Sequence, residues 1–474
     1  LLKKGNKFGW YSLPLGLVID KISTNDKKIK QKEYLVEGKY PVIDQGADFI
    51  GGYTNDESKV LRCDLPVIVF GDHTKILKLI RYHFVPGADG VKVLLPHRLI
   101  LPELLVFFVQ ILIRKIPDKG YARHFQYLEK SEIPIPPLSE QRAIVAKIEQ
   151  LFSELDNGIA CLKKAQEQLK VYRQAVLKQA FEGELTKAWR EQQANLPSAQ
   201  DLLDTIKADR EQAAKNQGKK LKSVIPLTQA ELDDLPELPE GWGWIRVDDA
   251  SSHIVDCLHN TAKFVDRGYY CIDTTCIEQG KINFDKARFV DQDIYMERIK
   301  RLKPKAGDLL FAREGTVGTV VIVPDKTDLC IGQRMMMFRS ISVCHSSYLM
   351  YCFQSIIFKK QYIPLISGTT SPHLNIRDIV QLKIPFCSLQ EQEQIVQEIE
   401  ARLSVCDNIE ATIRESLEKA EALRQSILKK AFEGKLLSEE ELTATRNDPD
   451  WEPAEKLLER IRAEKNQSKK QALT

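Results

Sequence analysis

A chain of 474 residues and 54.2 kDa, 43% hydrophobic and 28% charged, has the composition of an ordinary soluble globular protein but exceeds what one hydrophobic core supports, so two or more domains are expected. A net charge of +3 and a pI of about 8.2 neither demand nor exclude a nucleic-acid partner, and local clusters must decide. No apolar run approaches the roughly 20 residues that span a bilayer, and the start Leu-Leu-Lys-Lys carries no signal-peptide pattern, so a few native residues are expected to precede it. The ten cysteines show no C-x-x-C and no paired zinc spacing; they read as reduced thiols of a cytosolic protein, with Cys271 and Cys276 packing a strand.

From Trp10 to about Ile135 the runs YPVI, PVIVF and VKVLL alternate with Gly, Pro, Asn and Asp, the texture of a mixed domain with many short strands. Leu99 to Ile113, broken by Pro102, Glu103 and Gln110, predicts a buried helix. A long helix is predicted after Pro136-Pro137, with Ile144, Ile148, Leu151, Leu155, Leu162, Leu169, Tyr172 and Val176 at steps of three and four, small residues at Gly158 and Ala165, and Gly183 as its C-terminal glycine. Ala199 to Lys220 reads as a polar helix, and Gln212 to Ser223 as a polar, mobile linker. Trp242 to about Phe386 repeats the mixed texture, with strands in YYCIDTTCI, DLLFAR, TVVIVP and MMMFRSISV, where Met335, Met336 and Met337 are core candidates. Ser347 to Gln361 predicts one helix in nearly the place that Leu99 to Arg114 holds in the first half. A second long helix follows a capping box at Ser388 and Glu391, with a seam of Ile395, Ile399, Cys406, Ile409, Ile413, Ala420, Leu423 and Ile427 and a terminal Gly434. Ala454 to Lys470 resembles the polar helix at Ala199, and the Lys-rich tail is expected to be loose.

The two long helices are one sequence written twice. Ile133 to Thr186 aligns without a gap on Ile384 to Leu437; Gln141 falls on Gln392 and Phe181 on Phe432, a constant offset of 251. About twenty positions are identical, more than unrelated amphipathic helices share, while the preceding stretches differ. The simplest packing sets the two seams together as an antiparallel coiled coil, with close approach at Gly158, Ala165 and Ala420. At 1.5 Å per residue, about 40 residues extend roughly 60 Å, which would make the pair a spacer between two globular units.

The pattern I-P-x-P-P-L-x-E-Q opening a helix that ends R-Q-A-V-L-x-x-A-F-x-G-x-L-T, at Ile133 to Gln141 and Arg173 to Thr186 and again at Ile384 to Leu437, resembles the specificity subunit of type I restriction-modification enzymes. GWYSLPLG at Gly9 and GWGWIRVDD at Gly241 resemble the starts of that family's units; GDLLFAREGTVG (Gly307 to Gly318) and ISGTTSPHLNIRDI (Ile366 to Ile379) resemble one type of target recognition domain. The resemblance implies an α+β chain: two mixed target recognition domains at 1–137 and 241–388, repeated long helices at 138–186 and 389–437 forming an antiparallel coiled coil with pseudo-twofold repeat, and polar helical segments at 187–240 and 438–474. It implies a cytoplasmic, prokaryotic, non-catalytic subunit whose domains each read half of a bipartite double-stranded DNA target. Two methyltransferase subunits and restriction subunits would bind it, and S-adenosylmethionine, ATP and magnesium would sit in those partners, with no cofactor, catalytic group or metal in this chain. The absence of a G-x-x-x-x-G-K-[ST] loop agrees with that negative.

Base reading needs polar and basic side chains on turns, supported by Lys and Arg at phosphates. The first unit offers Gln45, Tyr53 and Thr54 on DQGADFIGGYT; Asp72, His73, Thr74 and Lys75, expected to be exposed, on FGDHTK; and Tyr121, Arg123, His124 and Gln126 on KGYARHFQY. The second offers Arg313 and Glu314 after a strand, Gln333 and Arg334 before one, and Ser367, Thr369, Thr370, His373 and Asn375 on SGTTSPHLN. Arg313 and Arg334 are the candidates for guanine; an internal pair of Arg313 with Glu314 or Asp308 is the plainer alternative, as turn capping is for Asp72. Lys27, Lys28, Lys30 and Lys32, and the run Arg298, Lys300, Arg301, Lys303 and Lys305, are phosphate candidates or solvated faces. Two other readings compete: an interaction scaffold with two protein-binding domains and no DNA role, and, with least support, a self-sufficient hydrolase.

Overall fold

The computed structural model describes residues 9–87, 90–116, 123–217, 226–278 and 280–471. The first half runs β1 Tyr11–Pro14, β2 Ile19–Ile22, β3 Tyr40–Ile43, β4 Gly52–Thr54, β5 Val67–Gly71, β6 Leu77–Ile80, β7 Val85–Pro86, β8 Val91–Pro96, α1 Pro102–Lys115, α2 Phe125–Leu128, β9 Glu132–Ile135 and α3 Leu138–Phe181. Then follow α4 Lys187–Arg190, α5 Ala199–Gln217, α6 Gln229–Leu232, β10 Gly243–Arg246, β11 Ser251–Asp256, β12 Tyr269–Ile272, β13 Ile277–Glu278, β14 Lys281–Ile282, β15 Arg288–Val290 and α7 Gln292–Ile299. The chain closes with β16 Leu309–Ala312, β17 Val320–Ile322, β18 Leu329–Ile331, β19 Met335–Ser340, α8 Ser346–Gln354, α9 Ile356–Tyr362, α10 Ile376–Gln381, β20 Lys383–Phe386, α11 Leu389–Phe432, α12 Glu439–Arg446 and α13 Ala454–Gln471.

These elements form two compact units that do not follow chain order: Leu1–Lys163 with Arg414–Thr474, and Lys164–Ile413. In unit 1 an antiparallel sheet β2-β8-β5-β6 accompanies a sheet β4-β3-β7, in which β3 and β7 are parallel, and a ribbon β1-β9. Among the described residues unit 2 has β11-β19-β16-β17, then β15-β12-β18 with β12 and β18 parallel, then β10-β20, and adds the hairpin β13-β14. Strand for strand the two topologies are the same, although the letters are not. The central strands β5 and β16 are wholly buried, which is why they read as unbroken apolar runs. Met335, Met336 and Met337 are all 0% exposed in β19. Helix α1 buries Leu104, Leu105, Phe108, Val109 and Leu112, and α8 buries Tyr348, Leu349, Cys352 and Phe353, each Leu, Val or Phe among them stabilising by about 1.5–3 kcal/mol. The predicted single helix at Ser347 to Gln361 is two, because the fully buried Ser355 leaves the helical path and caps α9 by accepting from Phe358 N at 3.2 Å.

The repeated Glu-Gln pair explains how each long helix is joined to a globular core. The Gln141 amide accepts from Leu101 N at 2.9 Å and donates to Leu99 O and Pro136 O at 3.2 and 3.0 Å. Gln392 accepts from His345 N at 2.8 Å and donates to Val343 O and Cys387 O at 3.1 and 2.8 Å. Leu101 and His345 are the N-caps of α1 and α8, so one side chain satisfies a free N–H of the core helix and ties it to the start of the long one. The neighbouring glutamates anchor a tryptophan each: Trp10 Nε1 donates to Glu140 at 2.7 Å, and Trp242 Nε1 to Glu391 at 2.9 Å. Ser388 does cap Glu391 N at 3.2 Å, but the Glu391 carboxylate is spent on Trp242, Thr186 and Arg190, so the predicted capping box is only half made.

In both long helices a row recurs every seventh residue: Ile148, Leu155, Leu162, Leu169 and Val176 in α3, all buried or half-buried, and Ile399, Cys406, Ile413, Ala420 and Ile427 in α11, all buried. The second row lies four residues on, at Phe152, Ile159, Gln166 and Arg173 and at Leu403, Glu410, Leu417 and Arg424. Tyr172, Ile409 and Leu423, one residue short of that row, are 46%, 43% and 51% exposed and lie outside the seam expected of them. Gly158 is exposed, and a Cβ there would meet nothing within 4 Å, so it does not serve close approach. Within unit 2 Arg173 pairs with Asp407 at 2.6 Å and Glu410 at 3.0 Å; within unit 1 Arg424 pairs with Asp156 and lies 4.4 Å over the Phe152 ring. Under the repeat's offset Arg173 becomes Arg424 and Asp156 becomes Asp407, so both ion pairs are one contact made twice between antiparallel segments.

The polar helices dock on the cores, and α13 runs through Gln471, so the Lys-rich tail expected to be loose is helical as far as that residue. Ala199, Leu202 and Ile206 of α5 join the core of unit 2, and Leu457, Leu458 and Ile461 of α13 join that of unit 1 beside Leu13 and Leu15. Helix α5 runs through Gln217, so the first part of the predicted linker is helical, and 218–225 lies outside the described residues. Each repeat thus contributes a packed helix to the unit whose sheets come from the other repeat.

Candidate nucleic-acid interface

In unit 1 several connections converge beyond β3, β5 and β7. Asp44 follows β3 and makes an Asx turn, its Oδ1 accepting from Gly46 N at 2.8 Å. Lys78, 3% exposed, donates to Asp44 O at 2.9 Å and to Asp48 O, and burial lowers its pKa against the pull of Asp44. This lysine pins the loop that carries Gln45. The Thr74 hydroxyl donates to Gln45 O at 2.7 Å and His73 N donates to Gln45 Oε1 at 3.4 Å, so three predicted readers share one place. Arg123 and His124 join them, since His124 N donates to Asp72 O at 3.0 Å.

The exposure expected of Asp72 does not hold. It is 3% exposed, its Oδ1 accepts from Phe125 N at 2.7 Å, and Lys92 Nζ lies 3.9 Å from its other oxygen; it fastens α2 to the β5–β6 turn. His124 is 1% exposed, with neither ring nitrogen hydrogen-bonded among the described residues. Thr74, Arg123 and Gln126 are exposed, and His73 and Lys75 half-buried. Thr54 is buried and accepts from Asp56 N, Tyr53 exchanges backbone bonds with Leu35, and the two pair with Tyr40 and Pro41 in the β3–β4 hairpin, so both serve that framework. Tyr121 lies outside the described residues.

Unit 2 builds the corresponding place from different residues. Leu374 N donates to Arg313 O at 2.9 Å as His124 N does to Asp72 O, and Gly332 N donates to Ile272 O at 2.7 Å as Gly87 N does to Ile43 O at 2.8 Å. Arg313 therefore stands where Asp72 does, Leu374 where His124 does, and Asp273 where Asp44 does. Asp273 repeats the Asx turn, its Oδ1 accepting from Thr275 N at 2.9 Å.

Arg313 is not available as an outward reader: 7% exposed, it donates to both Asp256 oxygens at 2.8 and 3.2 Å and pairs with Glu314 at 2.8 Å. Burial works against its charge, but Asp256 and Glu314 raise its pKa on balance. The plainer alternative was right about Glu314; Asp308 instead pairs with Arg339. His259 lies 3.2 Å from Asp256, and Gln333 Nε2 donates to His259 O and Thr261 Oγ1, each at 3.1 Å. Ser367 and His373 pair through backbone and side chain, His373 bridges Glu314, and Gly315 N donates to Pro372 O at 2.8 Å. Arg313, Glu314, Gln333, Arg334, Ser367 and His373 thus belong to one cluster, with Thr369 and Thr370 exposed on its loop. Arg334 is exposed, with no hydrogen bond or ion pair from its guanidinium among the described residues.

Asp256 and His259 were missed because nothing in their local letters sets them apart; strand pairing of β11 with β19 brings them to Arg313. Asp256, Cys257 and His259 place three ligand-type atoms within 4.8 Å, but Arg313 occupies both carboxylate oxygens, and burial raises the Cys257 thiol pKa against the thiolate a metal needs. The expected phosphate run is partly internal: Arg298 is buried and donates to Ile331 O and Asn260 O, and Lys303 pairs with Asp328. Lys27 donates to Ser58 O at 2.7 Å.

Two units with the same order in three matching sheets, and unlike polar loops at the same end, define a duplicated recognition protein. The family described as Type I restriction modification DNA specificity domain matches residues 9–161 and 265–419, more than half of the chain, and the chain belongs to that family. It is 26% identical over 391 residues to the type I restriction enzyme EcoDI specificity subunit of Escherichia coli, covering 77% of each chain. To the EcoBI specificity subunit of Escherichia coli it is 24% identical over 343 residues, covering 71% of this chain and 65% of the other. A solved structure titled as the basis of complex assembly and conformational transition of the type I R-M system matches its fold with a TM-score of 0.60 at 18% identity, over 92% of this chain and 100% of that one. No helix among the described residues is long and apolar enough to cross a membrane.

Proposed function

We propose that this chain is the DNA-specificity subunit of a type I restriction-modification complex, each unit reading one half of a bipartite duplex target. The observation that carries the reading is the pairing of identical sheet orders with unlike loop residues: Gln45, His73, Thr74 and Arg123 in unit 1, and Gln333, Arg334, Ser367 and His373 in unit 2. A shared scaffold fixes where each loop cluster is presented, and side-chain identity sets what it reads. The repeated long helices, with their repeated Glu-Gln anchors, supply two near-equivalent docking surfaces for two methyltransferase subunits, to which restriction subunits would add. S-adenosylmethionine, ATP and magnesium would be bound by those partners.

The test is to express the full chain with its host's methyltransferase subunit in cells lacking the system and to map adenine methylation across the genome. A two-part motif is expected, and exchanging residues 19–131 should alter one part only. That segment leaves in place the β1 face on which α13 packs. A motif unchanged by the exchange, or altered in both parts, would count against the reading.

A further inference from the structure

Two positions on the reading loops hold a left-handed backbone in both units. The first closes the β5–β6 turn: Lys75, at φ 62°, donates its N–H to Gly71 O at 2.8 Å, and in the β16–β17 turn Gly318, at φ 91°, donates to Ala312 O at 2.9 Å. The second precedes β8 and β19: Gly90, at φ 88°, accepts from Asp72 N at 2.7 Å, and Arg334, at φ 68°, accepts from Arg313 N at 3.0 Å. At each position one unit uses the glycine that such backbone favours and the other a long basic side chain, and the choice is reversed between the two. Only three residues other than glycine among those described have positive φ, and two of them are these. A bulky residue held there despite its conformational cost is a pointer to function.

The surroundings differ accordingly. A Cβ on Gly90 would come within 2.7 Å of Gln45 Oε1 and 2.8 Å of His73 Cδ2, so in unit 1 Gln45 and His73 fill that space. In unit 2 Arg334 takes it, beside an Arg313 whose fork is wholly committed to Asp256 and Glu314.

Resting on the DNA-reading function above, we infer that Arg334 is a specificity-determining residue of unit 2, its guanidinium fork reading the N7 and O6 acceptors of one guanine in the second half-site. Arg313 is a positioning residue that holds the turn beneath it. Unit 1 gives the same place to Gln45 and His73, which is one physical source of the difference between half-sites.

The test compares wild type, Arg334→Gly and Arg334→Ala, each as the full chain co-expressed with the host's methyltransferase subunit, by genome-wide adenine methylation and by the thermal midpoint of the purified chains. Arg334→Gly should lower methylation at wild-type sites about tenfold or more and make one G·C position of one half-site degenerate, with the other half-site intact. Its thermal midpoint should equal or exceed that of wild type, because glycine suits the backbone, while Arg334→Ala should show the same loss of specificity without that gain. An unchanged motif, or uniform weakening that keeps the motif as a phosphate contact would, overturns the inference while the functional reading stands. A wild-type chain that directs no two-part motif sinks the functional reading, and this inference with it.

Discussion

Replacing Glu391 with Ala should destabilise unit 2 more than replacing its repeat-mate Glu140 destabilises unit 1. Glu391 is 1% exposed; its Oε1 accepts from Thr186 Oγ1 at 2.7 Å and Arg190 Nη1 at 2.6 Å, and its Oε2 from Trp242 Nε1 at 2.9 Å. Hydrogen bonds to a charged group contribute about 1.5–3 kcal/mol each, without simple additivity. Breaking a buried pair costs about 3–5 kcal/mol, and since the Arg190 side chain is 19% exposed and can turn to water, about 3–4 kcal/mol is expected. Glu140 accepts from Trp10 Nε1 at 2.7 Å and, more weakly, from Arg446 Nε at 3.3 Å, whose side chain is 44% exposed, and Leu437 stands where the repeat would put Thr186. About 2 kcal/mol is expected there. Hydrogen exchange through a urea titration, followed on the β10–β20 ribbon for Glu391→Ala and the β1–β9 ribbon for Glu140→Ala, measures both. Equal losses, or a loss under about 1 kcal/mol for Glu391→Ala, would refute the claim that these carboxylates are buried anchors rather than helix caps.

Gly158→Ala should stabilise the chain by about 0.5–1 kcal/mol, since the new methyl meets open space in an exposed helix interior; a loss in thermal denaturation would restore the close-approach role. Arg173→Ala and Arg424→Ala should each cost no more than about 1 kcal/mol and less at high salt, because Asp407 and Asp156 are both 61% exposed; a salt-insensitive loss of several kcal/mol would contradict this. His97, 8% exposed, accepts from Leu99 N through Nδ1 at 3.3 Å, and its Nε2 lies 3.2 Å from Glu464 of α13. Burial lowers its pKa below 6.5 despite Glu464, so the neutral form's contribution is present above that value and lost as pH falls through the depressed one. Exchange in α13 should therefore rise on acidification below about pH 6.5 in the wild type, and the rise should shrink in His97→Gln. An identical pH profile in the variant would remove His97 from the account.

The class of fold and the duplication were legible in the letters, because heptad spacing, glycine stops and a gapless repeat are local signals. Gly183 and Gly434 both end their helices at φ 77°, as their positions implied. The candidate sites were legible as loops but not as roles. Arg313 and Asp72 have the residue types of base readers, yet strand pairing turns one toward Asp256 and the other toward Phe125 N. Gln141 and Gln392 were visible only as a motif, since their partners at Leu99, Leu101, Val343 and His345 are about 40 to 50 residues away.

By itself the sequence determined that this chain is written twice, that each copy pairs a strand-rich region with a long seamed helix, and which polar loops the two regions carry. Those follow from periodicity and turn chemistry, which act over a few residues. Only the tertiary structure decided that each unit is completed by the other repeat's terminal helix, that Arg313 is consumed by Asp256 and Glu314, and that Arg334 and Gly90 hold the same left-handed place. Such matters turn on which strands pair and what their ends bring together, and no local pattern encodes them.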